Sequence, residues 1–156
     1  MSEIRSIPGV ISFLGYRLVN VHYECAPDFE MSSLPDGEYH FAFTKTGSLL
    51  SETQYQLNLT VKICFGTEAD YTNAPFLLEV ELAGRYDCQE GWDKRWESNA
   101  LAILFPYLRA IVSIITAQSG REPVLLPTVN IVQMFRKASE QKEKSIDRFP
   151  AVEKSE

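Results

Sequence analysis

The residues of this 156-residue chain whose types could do chemistry are its two histidines, its three cysteines and the acid pair Glu79 and Glu81. His22 and His40 lie far apart and lack the spacing of a metal-ligand pair, so no metal centre is expected. Cys25, Cys64 and Cys88 are odd in number and dispersed, with no CxxC pair. That pattern reads as reduced thiols of a cytosolic protein rather than as a disulfide framework. Glu79 and Glu81 share one face of a strand with no obvious partner acid, which suits a solvated face or contact with a basic protein. No glycine-rich phosphate loop follows a strand, and no GxSxG nucleophile turn occurs. The expectation is a protein that is not an enzyme and needs no cofactor.

What is left is recognition by surfaces. Residues 39–44 alternate Tyr39, Phe41 and Phe43 against His40, Ala42 and Thr44, placing three rings on one face of a short strand. Such a row is either ordinary core or the lining of a groove, the second gaining weight if the strand lies near a sheet edge. A net charge of -6 and a pI near 5.0 argue against nucleic acid, because no basic stripe is present to overcome phosphate repulsion. An acidic surface suits a basic protein partner.

The elements that must position these groups centre on residues 101–115, LAILFPYLRAIVSII. In helical spacing Leu101, Leu104, Phe105, Leu108, Ile111, Val112 and Ile115 form one apolar stripe, and Ala102, Ile103, Ala110 and Ile114 make the other side apolar too. One face can cover a sheet of the same chain. The other asks for a second copy, which argues for an oligomer, unless the helix crosses the centre of a monomeric core. A membrane span fits less well, because Arg109 at mid-span would cost about 2.5–3.5 kcal/mol and Pro106 interrupts the run. No signal peptide is read at the start, so a cytoplasmic, bacterial-type location without membrane insertion is expected.

Taken in order, residues 10–25 read as a strand with Phe13, Gly15, Arg17, Val19, Val21 and Tyr23 on one face and Leu14, Tyr16, Leu18, Asn20, His22 and Glu24 on the other. A loop spans 26–38, with an apolar insert at 29–34. Residues 45–53 read as a turn around Gly47, 54–65 as the clearest strand, 66–74 as a hairpin loop and 75–87 as the last strand. In the charged connector 88–99, Trp92 and Trp96 read as packing anchors. The long helix is expected to start at an N-cap Ser98, to kink at Pro106 and to end at Gly120. Pro123 and Pro127 make 121–129 an extended crossover, and Asn130 caps a shorter amphipathic helix carrying Ile131, Met134, Phe135 and Ala138. The whole is an α+β fold, a four-stranded antiparallel sheet with a long kinked helix and a shorter C-terminal amphipathic helix. It forms one domain over 13–142 between a flexible stretch 1–12 and a disordered tail 143–156.

Residues 103–109, ILFPYLR, then Pro123, then 125–135, LLPTVNIVQMF, together with FLLEV at 76–80, resemble the SecB family of protein-export chaperones. The resemblance runs from about Gly15 to Ala138. It implies a homotetramer, a dimer of dimers with the first helices in the interface, for which the residues are Leu101, Leu104, Leu108, Ile111, Ile114 and Ile115. It also implies a hydrophobic groove that holds non-native polypeptides without ATP hydrolysis. The matching positions are Tyr39, Phe41 and Phe43 on a strand, Ile131, Met134 and Phe135 on the second helix, and Leu125 and Leu126 in the crossover. Delivery to the SecA motor would use an acidic patch represented by Glu24 and Glu79. Another acidic position of that patch is Asn20 here, and the tail, with Lys142, Lys144, Arg148 and Lys154, departs from the family's ending. Three functions remain open: a general holdase feeding SecA, a SecB-like chaperone dedicated to one client such as an antitoxin, and an oligomer that carries an apolar ligand.

Overall fold

The computed structural model describes residues 11–127 and 130–147, with side chains to Ser139. Of the flexible stretch expected at 1–12, residues 1–10 lie outside it, as do crossover residues 128 and 129 and, of the tail expected at 143–156, residues 148–156; Ser12 belongs to a strand and 143–147 to a helix. The chain divides into two units, one ending at Leu126 and one beginning at Pro127, so the domain expected over 13–142 spans both. In the first unit are β1 (Ser12–Cys25), β2 (Glu38–Leu49), β3 (Gln54–Gly66), β4 (Phe76–Asp87) and α1 (Glu97–Ala117); α2 (Ile131–Asp147) belongs to the second. The strands form one antiparallel sheet in the order β1-β4-β3-β2, leaving β1 and β2 as edges.

The alternation read from the sequence of β3 sets the core. Tyr55, Leu57, Leu59, Val61, Ile63 and Phe65 are all buried on one face, in register with Phe76, Leu78, Val80, Leu82 and Tyr86 of β4. Over this face lies α1, burying Ala100, Leu101, Leu104, Leu108 and Val112. The helix comes close at Gly84, where an added Cβ would lie 3.1 Å from Leu104 Cδ1 and 2.9 Å from the Tyr86 hydroxyl. That hydroxyl donates to the Ala100 carbonyl at 2.7 Å, tying the first turn of α1 to β4. At the same end Trp92 stacks on Tyr55, with centroids 3.9 Å apart and planes 9° from parallel, as expected of a packing anchor.

Several local expectations are revised. β2 does not stop at residue 44 but runs on through Gly47 to Leu49, and the turn is 50–53, held by Ser51 Oγ accepting from the Gln54 amide at 3.0 Å. Gly47 is glycine because the Tyr55 phenol crosses it, leaving no room for a Cβ, and not because the chain turns there. In β1, register shifts at Phe13/Gly15 and at Leu18/Asn20 change the parity twice. The residues in register with the inner positions of β4 are Phe13, Tyr16, Leu18, Val21, Tyr23 and Cys25, while Arg17, Asn20, His22 and Glu24 lie on the outer face. Helix α1 follows a 3-10 turn, Lys94–Trp96, whose cap is Asp93, accepting from the Arg95 amide at 2.9 Å; Ser98 lies inside the helix. The helix is continuous through Pro106, which with Ala102 is on its exposed side, so water can reach the carbonyl that proline leaves without a donor. Asn130 caps α2 as expected, accepting from the Gln133 amide at 3.1 Å.

Burial, with the neighbouring Glu97 carboxylate adding to it, pushes the Tyr55 phenol up to about 12. Tyr86 is shifted in the same direction by burial. An unfolded tyrosine ionises near pH 10, so between about pH 10 and 12 the unfolded chain loses a proton that the fold retains. The stability these groups contribute is complete below pH 10 and falls as pH rises through that window. Urea unfolding at pH 8 and pH 11 is expected to give a clearly lower stability at pH 11, and Tyr55→Phe is expected to show a smaller drop.

Candidate functional site

The aromatic row on edge strand β2 is neither wholly core nor wholly free. Tyr39, Phe41 and Phe43 are half-buried on the helix side of the sheet. Tyr39 meets Phe65 edge-on at 5.1 Å and Phe76 at 5.7 Å, Phe41 lies 6.4 Å from Tyr39, and Phe43 meets Phe105 of α1 at 5.9 Å. Tyr39 and Phe43 each have one side seated on buried rings, and all three rings keep part of their surface accessible along the strand edge.

The loop between β1 and β2 closes over one end of this row. Phe29 is buried against Phe65 at 5.8 Å, and the Tyr39 hydroxyl donates to Met31 Sδ at 3.3 Å. Burial raises the Tyr39 phenol above its ordinary value, with the Arg121 charge partly opposing it. Arg121, beyond the end of α1, donates through Nη2 to the Phe29 carbonyl at 2.5 Å, its guanidinium 5.7 Å from the Phe29 ring centre. Between this loop and 119–122 lies an open cleft of about 790 Å³, bordered by Phe29, Met31, Gly120 and Arg121 and by the acids Asp28, Glu30 and Glu122. The sequence reading missed Phe29, Met31 and Arg121. The apolar insert among turn formers at 29–34 was the available signal.

The crossover is fixed to α1 by side chains. Ser113 Oγ donates to the Val124 carbonyl at 3.3 Å, the Val124 amide to Thr116 Oγ1 at 2.7 Å, and Arg109 Nε to the Leu126 carbonyl at 3.1 Å. Leu125 is consequently 69% exposed while Val124 and Leu126 are buried. This corrects the expectation for Leu126, which fills the core and does not line a surface. In the second unit, Ile131, Met134 and Phe135 share one side of α2, with Met134 and Phe135 half-buried.

The expected interface residues separate into two sets. Leu101, Leu104 and Leu108 are consumed by the chain's own core, because their stripe is the one that seats α1 on the sheet. Ile111 and Ile115 are partly exposed, and Ile114 is 61% exposed beside Ala102, Pro106, Tyr107 and Ala110. Tyr107 meets Tyr16 of β1 at 4.8 Å with the rings tilted by 39°, and β1 adds exposed Leu14, Leu18, Val19, Val21 and Tyr23, so the apolar surface continues from helix to strand edge. The stretch Lys94–Ala117 has the length and hydropathy of a membrane span, but one side of it is packed on the sheet.

On the opposite, polar face of the sheet the structure does bring Glu24 and Glu79 together. Glu79 is in register with His22, whose Nε2 lies 3.3 Å from Glu24 Oε2, and the three border a recess of about 190 Å³ with Lys62, Tyr71 and Leu77. Asn20 stands opposite Glu81, whose carboxylate accepts from Thr60 Oγ1 at 3.2 Å. Among the described residues no cluster of histidine, cysteine or acid side chains is placed to hold a metal ion.

A protein of Methanocaldococcus jannaschii is 38% identical over 92 residues, covering 56% of this chain and 59% of that relative, so the match spans about three-fifths of the relative's length. Among solved structures, the SecB-like chaperone of Mycobacterium tuberculosis, in complex with a ChAD peptide from the HigA1 antitoxin, superposes with a TM-score of 0.59. Its sequence identity is 16%, over 76% of this chain and 89% of that one, a likeness of fold. Residues 25–142 match the family described as preprotein translocase subunit SecB. Covering well over half of its length, that match shows that the chain belongs to the SecB family.

Proposed function

We propose that this protein is an ATP-independent holdase that binds non-native polypeptides and keeps them competent for export. The observation that carries the reading is the half-seated aromatic row of edge strand β2, where rings with one side on the core keep the other side for a client. Aromatic rings on a rigid strand and a neighbouring methionine, Met31, suit varied apolar segments, because the rings lose little freedom and the thioether repacks readily. The row lies on an unpaired edge, so an extended client segment can also hydrogen-bond to the β2 backbone. Exposed Leu125, and separately Met134 and Phe135 of α2, are further client contacts in this reading.

The working assembly we infer is a cytoplasmic homotetramer. Exposed Ile114 and the apolar edge of β1 support it, since a surface continuous across helix and strand suits association with a second copy. Delivery to SecA is assigned to the acidic end of the outer sheet face, Glu24 and Glu79. A second reading, a chaperone dedicated to an antitoxin, is favoured by the antitoxin peptide carried by the structural neighbour. A small apolar-ligand carrier is less well supported, because the rings lie along an open strand edge.

In light-scattering assays of a secretory precursor diluted from denaturant without nucleotide, the protein is expected to suppress aggregation and Phe41→Asp to abolish that suppression at unchanged mass. Full suppression by the variant would remove β2 from the site. Ile114→Asp is expected to dissociate the assembly on sizing with multi-angle scattering, because a carboxylate buried without a partner costs several kcal/mol. Glu24→Lys with Glu79→Lys is expected to weaken SecA binding about tenfold, roughly 1.4 kcal/mol, while sparing client binding. Equal affinity before and after would dissociate the acidic patch from docking.

A further inference from the structure

The polar face of the sheet has a second pole. Arg17 stands opposite Ala83 and Arg85 opposite Gly15, so the two arginines are diagonal neighbours on β1 and β4. Diagonal positions lie about 7–8 Å apart, close enough for both guanidiniums to reach one carboxylate. Both arginines are exposed, and among the described residues neither has an ion pair or hydrogen bond. Asp87, two positions beyond Arg85 and opposite Ser12 and Gln54, is ion-paired with neither. Glu81 and Asp87 share this face and temper the charge, but among the described residues neither closes an ion pair with an arginine, so in a chain of net charge -6 two adjacent cations are left without a direct partner.

The ground around them is shaped. The bulge at Gly15, with φ at +121°, opens a recess of about 350 Å³ lined by Arg17, Arg85, Gln54, Gln56 and Tyr16. Gln56 gives its amide nitrogen to Asn58 Oδ1 at 3.0 Å, so of the two side-chain amides lining the recess Gln54 is the one left to donate to a ligand. Two guanidiniums beside a side-chain amide make a donor set for a carboxylate, where bidentate geometry adds strength and direction.

We propose that Arg17 and Arg85, with Gln54, form a carboxylate-binding pole that makes the outer sheet face a bipolar docking surface. Its occupant is a partner protein segment carrying basic side chains at one end and acidic ones at the other. Glu79 and Arg85 lie six positions apart on β4, about 20 Å of extended chain, and that is the spacing the partner's two clusters must match. The second pole fixes which way round the partner lies, something an acidic patch alone cannot do, and it speeds encounter at low salt. The proposal rests on the reading of this face as a docking surface.

The test uses two dye-labelled synthetic peptides in fluorescence anisotropy at low salt. One carries a lysine pair and a glutamate pair about six residues apart, the spacing given above; the other has lysines at all four places. The wild-type protein is expected to bind the mixed peptide at least about threefold tighter, a difference of roughly 0.7 kcal/mol. R17E/R85E should reverse that order and R17Q/R85Q should abolish the difference, circular dichroism confirming that each variant is folded. An unchanged preference in the folded variants overturns the arginine pole while leaving the acidic one standing. If neither peptide binds wild type, or if E24K/E79K leaves the all-lysine peptide unaffected, the docking reading itself fails and the bipolar surface with it.

Discussion

Everything in the first unit depends on one seating, the leucine stripe of α1 against the inner face of a sheet only four strands wide. Leu101, Leu104 and Leu108 lie over the central strands β3 and β4, and Gly84 lets the helix descend far enough for Tyr86 to bond the Ala100 carbonyl. A single helix is about 10 Å across with its side chains, and four strands span roughly twice that, so it cannot cover the whole sheet. The rings of β2 and the apolar positions of β1 are left at the margins, partly seated. The surfaces proposed for clients and for a second copy are therefore the uncovered remainder of one under-roofed sheet.

That limitation explains how the two margins differ. On the β2 side the uncovered positions are aromatic; Tyr39 and Phe43 lean on buried rings and Phe41 on Tyr39, so the exposed faces are held in place. On the β1 side they are aliphatic residues and tyrosines on a strand that is exposed on both faces. Rigid rings with one free side suit transient contacts with many sequences, whereas a broad aliphatic edge suits a permanent partner of fixed shape. The loop 26–37 blurs this division at one end, where Arg121 and Met31 fix Phe29 and Tyr39 together.

Where periodicity was unbroken, the sequence was read correctly. β3 and β4 alternate cleanly because both are central strands with one face under the helix, and the cap at Asn130 was legible because an amphipathic run follows it. Errors arose where a local device overrides periodicity. Two bulges changed the parity of β1, and no residue pattern marks the second of them. Gly47 looked like a turn residue because its reason lies in Tyr55, eight residues on, which the β2–β3 hairpin lays across it. The helix was read as two-sided, which its exposed Ile114 supports, yet the leucines were assigned to the wrong side because a sequence cannot say which apolar stripe meets the sheet. Arg109 counted as an argument against a membrane span; its partner, the Leu126 carbonyl, lies in a segment whose path only the structure reveals. The aromatic row and the acid pair were found as residues, while Phe29, Met31, Arg121 and the paired arginines needed three-dimensional neighbours to acquire meaning.

The uneven spine of β1 has one more consequence. An edge strand fourteen residues long would ordinarily be a template on which any passing extended chain could crystallise. Here the ladder is broken twice, at Phe13/Gly15 and at Leu18/Asn20, like a key cut with two notches. A smooth strand laid along it falls out of step within a few residues, whereas another chain bearing the same notches can be matched to it. On the proposal that the opposite edge accepts client strands and that β1 meets a second copy, the irregularity would separate kin from cargo.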